Sequence, residues 1–323
     1  MKTRRLCLAF TSLAAAALVA CGCNFSKTIE TPSLGPYYRA ADGNSSVYAS
    51  KVCDYTPAPG QFIGDEATAL GGIRTAQAAC DWALGRLNSR KFVSLGGFGG
   101  YIVVTFDHSI VNMGGDDFAI YCNALPGGSE PGVVYVAADD NGNGIPDDAW
   151  YELRGSDTGS EYTLQDYSVT YYRPTESGSD VRWSDSEGGQ GSIDYLAAYH
   201  SQASYWPEWV GGSEYTLSGT RLKALNYDQS GNGTYWVNPN YGWGYADNYG
   251  SDIFDVYTDT SVTLRGNTFR IGNAMNADGS AANLKYIDFI KVQTAVNAKS
   301  GWLGELSTEV CGFEDLSINT SPM

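Results

Sequence analysis

Apolar residues in this chain come in short runs separated by clusters of Gly, Asp, Asn and Ser, most densely between Val93 and Leu153. Tyr101 to Phe106 is a near-continuous apolar run, the pattern of a strand buried on both faces, and Asp107-His108 is expected to end it. Phe118–Cys122, Gly132–Ala137 and Ala149–Leu153 read as three further strands. Beyond them, strands are predicted at Tyr167–Tyr172, as two strands and a turn within Leu217–Leu222, at Asn267–Ile271 and at Leu284–Val292. The one good helix candidate is Thr75–Leu87, where Ala76, Ala79, Ala83 and Leu87 recur at spacings of three and four. Many short strands with turn-rich connections predict an all-β fold, a jelly-roll-like β-sandwich with one short helix and long loops. Gly96, Gly97, Gly99 and Gly100 surround Phe98 without a following GK[ST], so they read as a bend or a close packing point rather than a phosphate loop.

The amino terminus changes the picture of the compartment. Lys2, Arg4 and Arg5 precede an apolar run from Leu6 to Ala20 that is short for a spanning helix. It ends Leu18-Val19-Ala20-Cys21, which resembles the lipobox of bacterial lipoproteins, with lipid on Cys21 after cleavage. The expected division is a lipoprotein signal peptide over 1–20, a flexible lipid-anchored tether over 21–50, a β-sandwich domain over 51–312 and a C-terminal tail over 313–323. Loss of residues 1–20 removes three basic residues and no acid, leaving 17 basic against 36 acidic residues. Such a surface repels phosphate backbones, so nucleic acid is a poor partner. In an oxidising envelope disulfides are allowed, and Cys53 with Cys311, near the two ends of the domain, is the expected pair. Cys80 with Cys122 is a second pairing, and free buried thiols are the alternative.

Chemistry concentrates in two stretches. Asp139-Asp140-Asn141-Gly142-Asn143-Gly144-Ile145-Pro146-Asp147 has the alternating oxygen ligands and turn glycine of a calcium loop. Asp139, Asn141, Asn143, the Ile145 carbonyl and Asp147 are the expected ligands. Trp150 stands where an EF-hand has Glu, so Asp148 or Glu152 would close the site. A polar hairpin is the alternative. Asp107, Asp116, Asp117 and Glu130 form a second candidate oxygen cluster, with solvated loop acids as the plainer reading. The aromatic belt between Tyr199 and Tyr249 is the candidate ligand surface: Tyr205, Trp206, Trp209, Trp236, Tyr241, Trp243 and Tyr245 offer flat faces for a sugar ring or a conjugated cofactor. Burial of these rings in the core is the competing expectation. His108 and His200 are the only histidines and no G-x-S-x-G occurs, which leaves nucleophilic catalysis unsupported. A glycosidase needs only two carboxylates, and a carbohydrate-active hydrolase is therefore the alternative to a binding protein.

GGYIVVTFDHSI, DFAIYCNA, EPGVVYVAADDNGNGIPDDAWYEL and NLKYIDFIKVQTAVN resemble the Bacteroidales cell-surface lipoproteins, over about residues 52–312. The resemblance implies an extracytoplasmic jelly-roll-like sandwich anchored in the outer membrane. It also implies nutrient capture beside a TonB-dependent transporter, with a corrinoid or a glycan as ligand. Gly22 to Lys27 lacks the acidic residues that often assist surface export in that group, so the face of the membrane stays open.

Overall fold

The computed structural model describes residues 34–65, 67–256 and 264–318. Cys21, Cys23, the signal segment and the start of the tether lie outside the described residues, as do 319–323. In chain order the strands are β1 (Lys51–Thr56), β2 (Val93–Ser94), β3 (Tyr101–Val111), β4 (Phe118–Cys122), β5 (Gly132–Ala137) and β6 (Tyr151–Leu153). Next come β7 (Leu164–Tyr172), β8 (Val181–Asp185), β9 (Gln190–Ile193), β10 (Glu214–Arg221), β11 (Tyr227–Asp228) and β12 (Trp236–Val237). The last are β13 (Ile253–Val256), β14 (Leu264–Phe269), β15 (Ala274–Met275), β16 (Tyr286–Thr294), β17 (Glu309–Val310) and β18 (Gly312–Asp315). Among the described residues one α-helix, α1, spans Ala76–Asn88, with Thr75 Oγ1 accepting from the Ala78 N–H as its cap.

The fold is an all-β sandwich. One sheet runs β1-β3-β16-β5-β6-β15 and the facing sheet β13-β14-β4-β18, all antiparallel. The chain passes from β3 to β4 to β5, changing sheet at each step. Val104, Phe106, Val134, Val136 and Ile290 meet Phe118, Ile120, Phe269 and Phe313 between the sheets, and Ala79, Ala83 and Leu87 bring α1 onto the same core.

A third sheet, β10-β7-β8-β9, carries a second core of Tyr167, Val169, Tyr171, Ile193, Trp206 and Leu217. It rests on the glycine run, where Tyr171 Oη donates to the Phe98 carbonyl at 2.9 Å. Gly99 has φ +82°, and a Cβ there would sit 2.6 Å from Leu217 Cβ, so the run serves close packing.

Several boundaries differ from expectation. β3 does not stop at Asp107-His108 but runs to Val111, because His108 is buried with its Nδ1 2.6 Å from Asp107 Oδ1 and its Nε2 2.7 Å from Asp315 Oδ2. Leu217–Arg221 belongs to one strand, β10, with Leu222 just past its end, rather than to two strands and a turn. The region read as loop between Asp157 and Gly191 contains β8 and the start of β9. Residues 34–50 are not a free tether: Arg39 pairs with Asp288 at 3.0 Å, and Ala49 is buried. The domain does not end at 312, since Phe313–Asp315 completes β18 beside β4.

The expected disulfides do not form. Cys53, Cys80, Cys122 and Cys311 are free thiols. Cys53 sits at the bulge of β1 against Val103, Ala137 and Phe289, whereas Cys311 packs with Ala119, Tyr121 and Leu264 behind the facing sheet. Two thiols in separate packing layers cannot meet the geometry of a disulfide.

His108 links the two sheets, and this contact carries a pH signature. Burial opposes its protonation, but the hydrogen-bonded carboxylates of Asp315 and Asp107 overcome it and raise its pKa. A raised folded-state pKa stabilises below the unfolded value of about 6.5 and loses that contribution as pH rises through the folded value. In urea unfolding, His108→Gln is expected to lose more stability at pH 6 than at pH 9. An equal loss at both pH values would contradict the bridge.

Candidate ligand and ion sites

The 139–148 loop folds around Asp139. Its buried carboxylate accepts the N–H groups of Gly142 (2.7 Å) and Asn143 (3.1 Å) on Oδ1, and that of Gly144 (2.8 Å) on Oδ2. Asn141 Oδ1 accepts from the Asn143 N–H and Asn143 Oδ1 from the Ile145 N–H, so each side chain is turned inward by its own backbone. Gly144 has φ +70°, the conformation the turn needs. The Asn141 and Asn143 amides reach Asp147 at 3.1–3.2 Å, and Asn141 reaches Asp148 at 3.3 Å. Asp139, Asn141, Asn143 and Asp147 are thus gathered in one curl, with Asp148 as the closing carboxylate. The Ile145 carbonyl accepts from the Asp147 N–H at 2.9 Å, and its side chain is exposed.

Glu152 is not in this set. It stands opposite Tyr135, outside the curl, and accepts from Thr220 Oγ1 at 2.5 Å. The second oxygen cluster also divides. Asp107 bonds His108, Asp116 pairs with Arg270 at 2.8 Å, and Asp117 accepts the backbone N–H groups of Met113 and Ile271. Glu130 lies apart from them, beside Asp247 and Glu309.

Most of the aromatic belt is core, and its expected ligand role is corrected accordingly. Trp206 is 0% exposed, stands edge-on to Tyr215 and donates Nε1 to the Val210 carbonyl at 3.2 Å. Tyr205 is buried beside it, with its hydroxyl donating to the His200 carbonyl. Tyr241 and Tyr245 pack edge to face, 5.6 Å apart, in a third cluster with Val133 and Leu306. Trp209 is half-buried against Tyr55, and Trp236 is half-buried against Gly301. Trp243 is the ring of the seven that opens to solvent, at 40% exposure.

Trp243 lines a cleft of about 560 Å³ together with Asp116, Arg154, Asp252, Arg270 and Asn273. Asp252 is fixed by the Gly244 N–H at 2.7 Å and by Asn267 Nδ2 at 3.2 Å, and burial raises its carboxyl pKa. Leu153, Ile253, Phe254 and Phe269 complete the apolar lining, and apolar faces interspersed with charged, amide and hydroxyl residues suit a ring that carries many hydroxyls.

A second cleft, of about 400 Å³, lies between β5, β6 and β16 and the rim of β7 and β10. Lys291, Tyr135, Glu152 and Met275 follow one another across a single rung of the sheet and so share a face. Lys291 Nζ lies 4.5 Å from the Tyr101 ring centre and 5.2 Å from that of Tyr135. Burial lowers its pKa to about 8, against the nearby Asp54. Burial raises the Glu152 carboxyl despite hydrogen bonds from Thr220 and Tyr135. Asp166, on the rim, has φ 56°, a left-handed conformation where the β7–β10 register breaks. No sequence signal marked this cleft beyond Glu152, because its members come from six strands. Among the described residues no helix is long and apolar enough to cross a membrane. No family model matches the chain, and no curated protein matches it.

Trp206 provides a direct check on which rings are core. Trp206→Ala should cost about 3–5 kcal/mol in chemical unfolding, the range for a fully buried large aromatic. A loss below about 1 kcal/mol would return this indole to the surface.

Proposed function

We propose that the protein is a lipid-anchored binding protein of the bacterial envelope that captures a glycan in the Trp243 cleft and is braced by calcium in the 139–148 loop. The observation that carries this reading is Trp243 itself, an indole 40% exposed in a cleft that also gathers acidic, basic, amide and hydroxyl residues. A volume of about 560 Å³ suits one or two sugar rings, whereas a corrinoid is larger. The lipobox at Cys21 and the resemblance to surface lipoproteins support the outer membrane as the compartment and a TonB-dependent transporter as the partner that receives the ligand.

Calcium is supported by the curl around Asp139. Oxygen donors at 141, 143, 147 and 148 converge, and a cation there would take over from the amide N–H groups that now face Asp147. Removing the ion leaves the Asp147 and Asp148 carboxylates with weaker partners. Asp139→Ala with Asp147→Ala is expected to abolish the rise in Tm that calcium gives the wild type. A wild-type Tm that is the same in calcium and in chelator would contradict the ion.

A second reading, a glycoside hydrolase, is favoured by one observation in the other cleft. Glu152, held toward its neutral form by burial, shares that cleft with the exposed carboxylate of Asp166. In such a reaction Glu152 gives its proton to the glycosidic oxygen while Asp166 takes one from water. The water oxygen bonds to the anomeric carbon as the bond to the leaving sugar breaks.

Calorimetric titration with neutral oligosaccharides of glucose, mannose and xylose, with cobalamin alongside, separates these readings. Binding of one oligosaccharide, weakened roughly tenfold to a hundredfold by Trp243→Ala (about 1–3 kcal/mol), with the sugar recovered intact, is the expected result. Sugar release abolished by Glu152→Gln would replace the binder with the hydrolase, and cobalamin binding in its stead would reject the glycan.

A further inference from the structure

The carboxylates of Glu130, Asp247 and Glu309 meet between the loop before β5, the segment after Tyr245 and strand β17, with one oxygen of each within 4.8 Å of the others. Asp247 and Glu309 are buried, and Glu130 keeps partial contact with solvent. Asp247 Oδ2 accepts the Glu309 N–H at 2.9 Å, Glu309 Oε1 accepts the Ser307 hydroxyl at 2.6 Å, and Glu130 Oε1 accepts the Ser307 N–H at 3.2 Å. Among the described residues no Lys, Arg or His forms an ion pair with any of the three. A buried carboxylate without a positive partner is unstable in its charged form, and three together are more so.

The independent sign of a missing partner is Asp247 Oδ1. It is fully buried, in a residue 1% exposed, and has no hydrogen bond of ordinary geometry, although the Cys122 thiol and the Asn123 N–H lie nearby. Buried carboxylate oxygens are ordinarily satisfied; Glu305 Oε2 is also without a partner but lies outside this group of three, and an orphan oxygen on a member of a carboxylate cluster marks a position where a positive ligand belongs.

We propose that Glu130, Asp247 and Glu309 form a buried site for one calcium ion, separate from the 139–148 loop. The donor set is all hard oxygen, which selects against zinc and the softer metals. The three oxygens lie within 4.8 Å of one another, close enough for one ion at calcium's oxygen distance of about 2.3–2.6 Å to reach all three; calcium tolerates such an irregular carboxylate cage, whereas magnesium demands near-ideal octahedral geometry and usually keeps several waters. Burial, reinforced by the neighbouring carboxylates, raises the pKa of Glu130 and Asp247, and burial raises that of Glu309, so without a cation the cluster must hold protons. The ion joins three segments distant in sequence, a structural role rather than a catalytic one.

The test counts calcium. The full chain, its Asp139→Ala/Asp147→Ala variant and its Glu130→Gln/Glu309→Gln variant are dialysed against micromolar calcium at pH 7.5, and bound metal is measured by atomic emission. The loop variant is expected to retain one calcium per chain, and the glutamine variant to bind one fewer than the wild type. A folded loop variant that binds no calcium overturns the site and leaves the cluster protonated. A glutamine variant with the wild-type count also overturns it. Should the glutamine variant fail to fold, the loop variant decides alone: its Tm falls on adding chelator if the ion is there and is unchanged if the cluster holds only protons.

Discussion

The buried carboxylate of Asp288 is the constraint on which much of the architecture depends. It lies in β16, the strand between β3 and β5, at the point where the β16–β3 register slips. Its side chain is 0% exposed, so its charge must be met inside the protein. Ser109 Oγ donates to it at 2.6 Å, Arg39 at 3.0 and 3.3 Å, and the Asp139 N–H at 2.8 Å. Arg39 in turn donates to the carbonyl groups of Phe106 and His108. One carboxylate thus pins residues 34–50 to the sheet and fixes the first residue of the 139–148 curl. The tether reading of 34–50 failed for this reason: the segment has little apolar content, but it supplies the cation that a buried acid requires.

A second constraint is the outer face of the larger sheet. Tyr101 packs against the core of the third sheet and Tyr135 against the belt rings Tyr241 and Tyr245, while Val103, Ala137 and Phe289 pack with Cys53 and Trp150. That covering consumes most of the aromatic rings. What stays open lies at the edges of the cover, one cleft beside Trp243 and one where the β7–β10 rim meets the sheet, and both mix apolar faces with charged groups.

Legibility in the sequence followed locality. β4 and β5 matched their predicted ranges because each is an apolar run closed by turn residues on both sides. The 139–148 curl was readable because its hydrogen bonds lie within the loop itself. Glu152 was misassigned because a three-residue strand turns it away, a matter of strand alternation that spacing alone does not reveal. His108 looked like a strand end because the carboxylate that holds it belongs to Asp315. The Trp206 segment did read as loop, and it is one, but it runs beneath the third sheet. Of the clusters at Glu130 and at Lys291 the sequence singled out only one member each, Glu130 and Glu152, and with the wrong partners, since the members meet only through long-range pairing.

The claim that one buried charge organises both the amino-terminal segment and the 139–148 curl is most directly tested by hydrogen exchange on Asp288→Ala, read by mass spectrometry peptide by peptide. Peptides covering 34–50 and 139–148 should lose protection together, with β4 still protected as the reference for global opening, and stability should fall by about 3–5 kcal/mol. Wild-type protection in both segments of the variant would contradict the account.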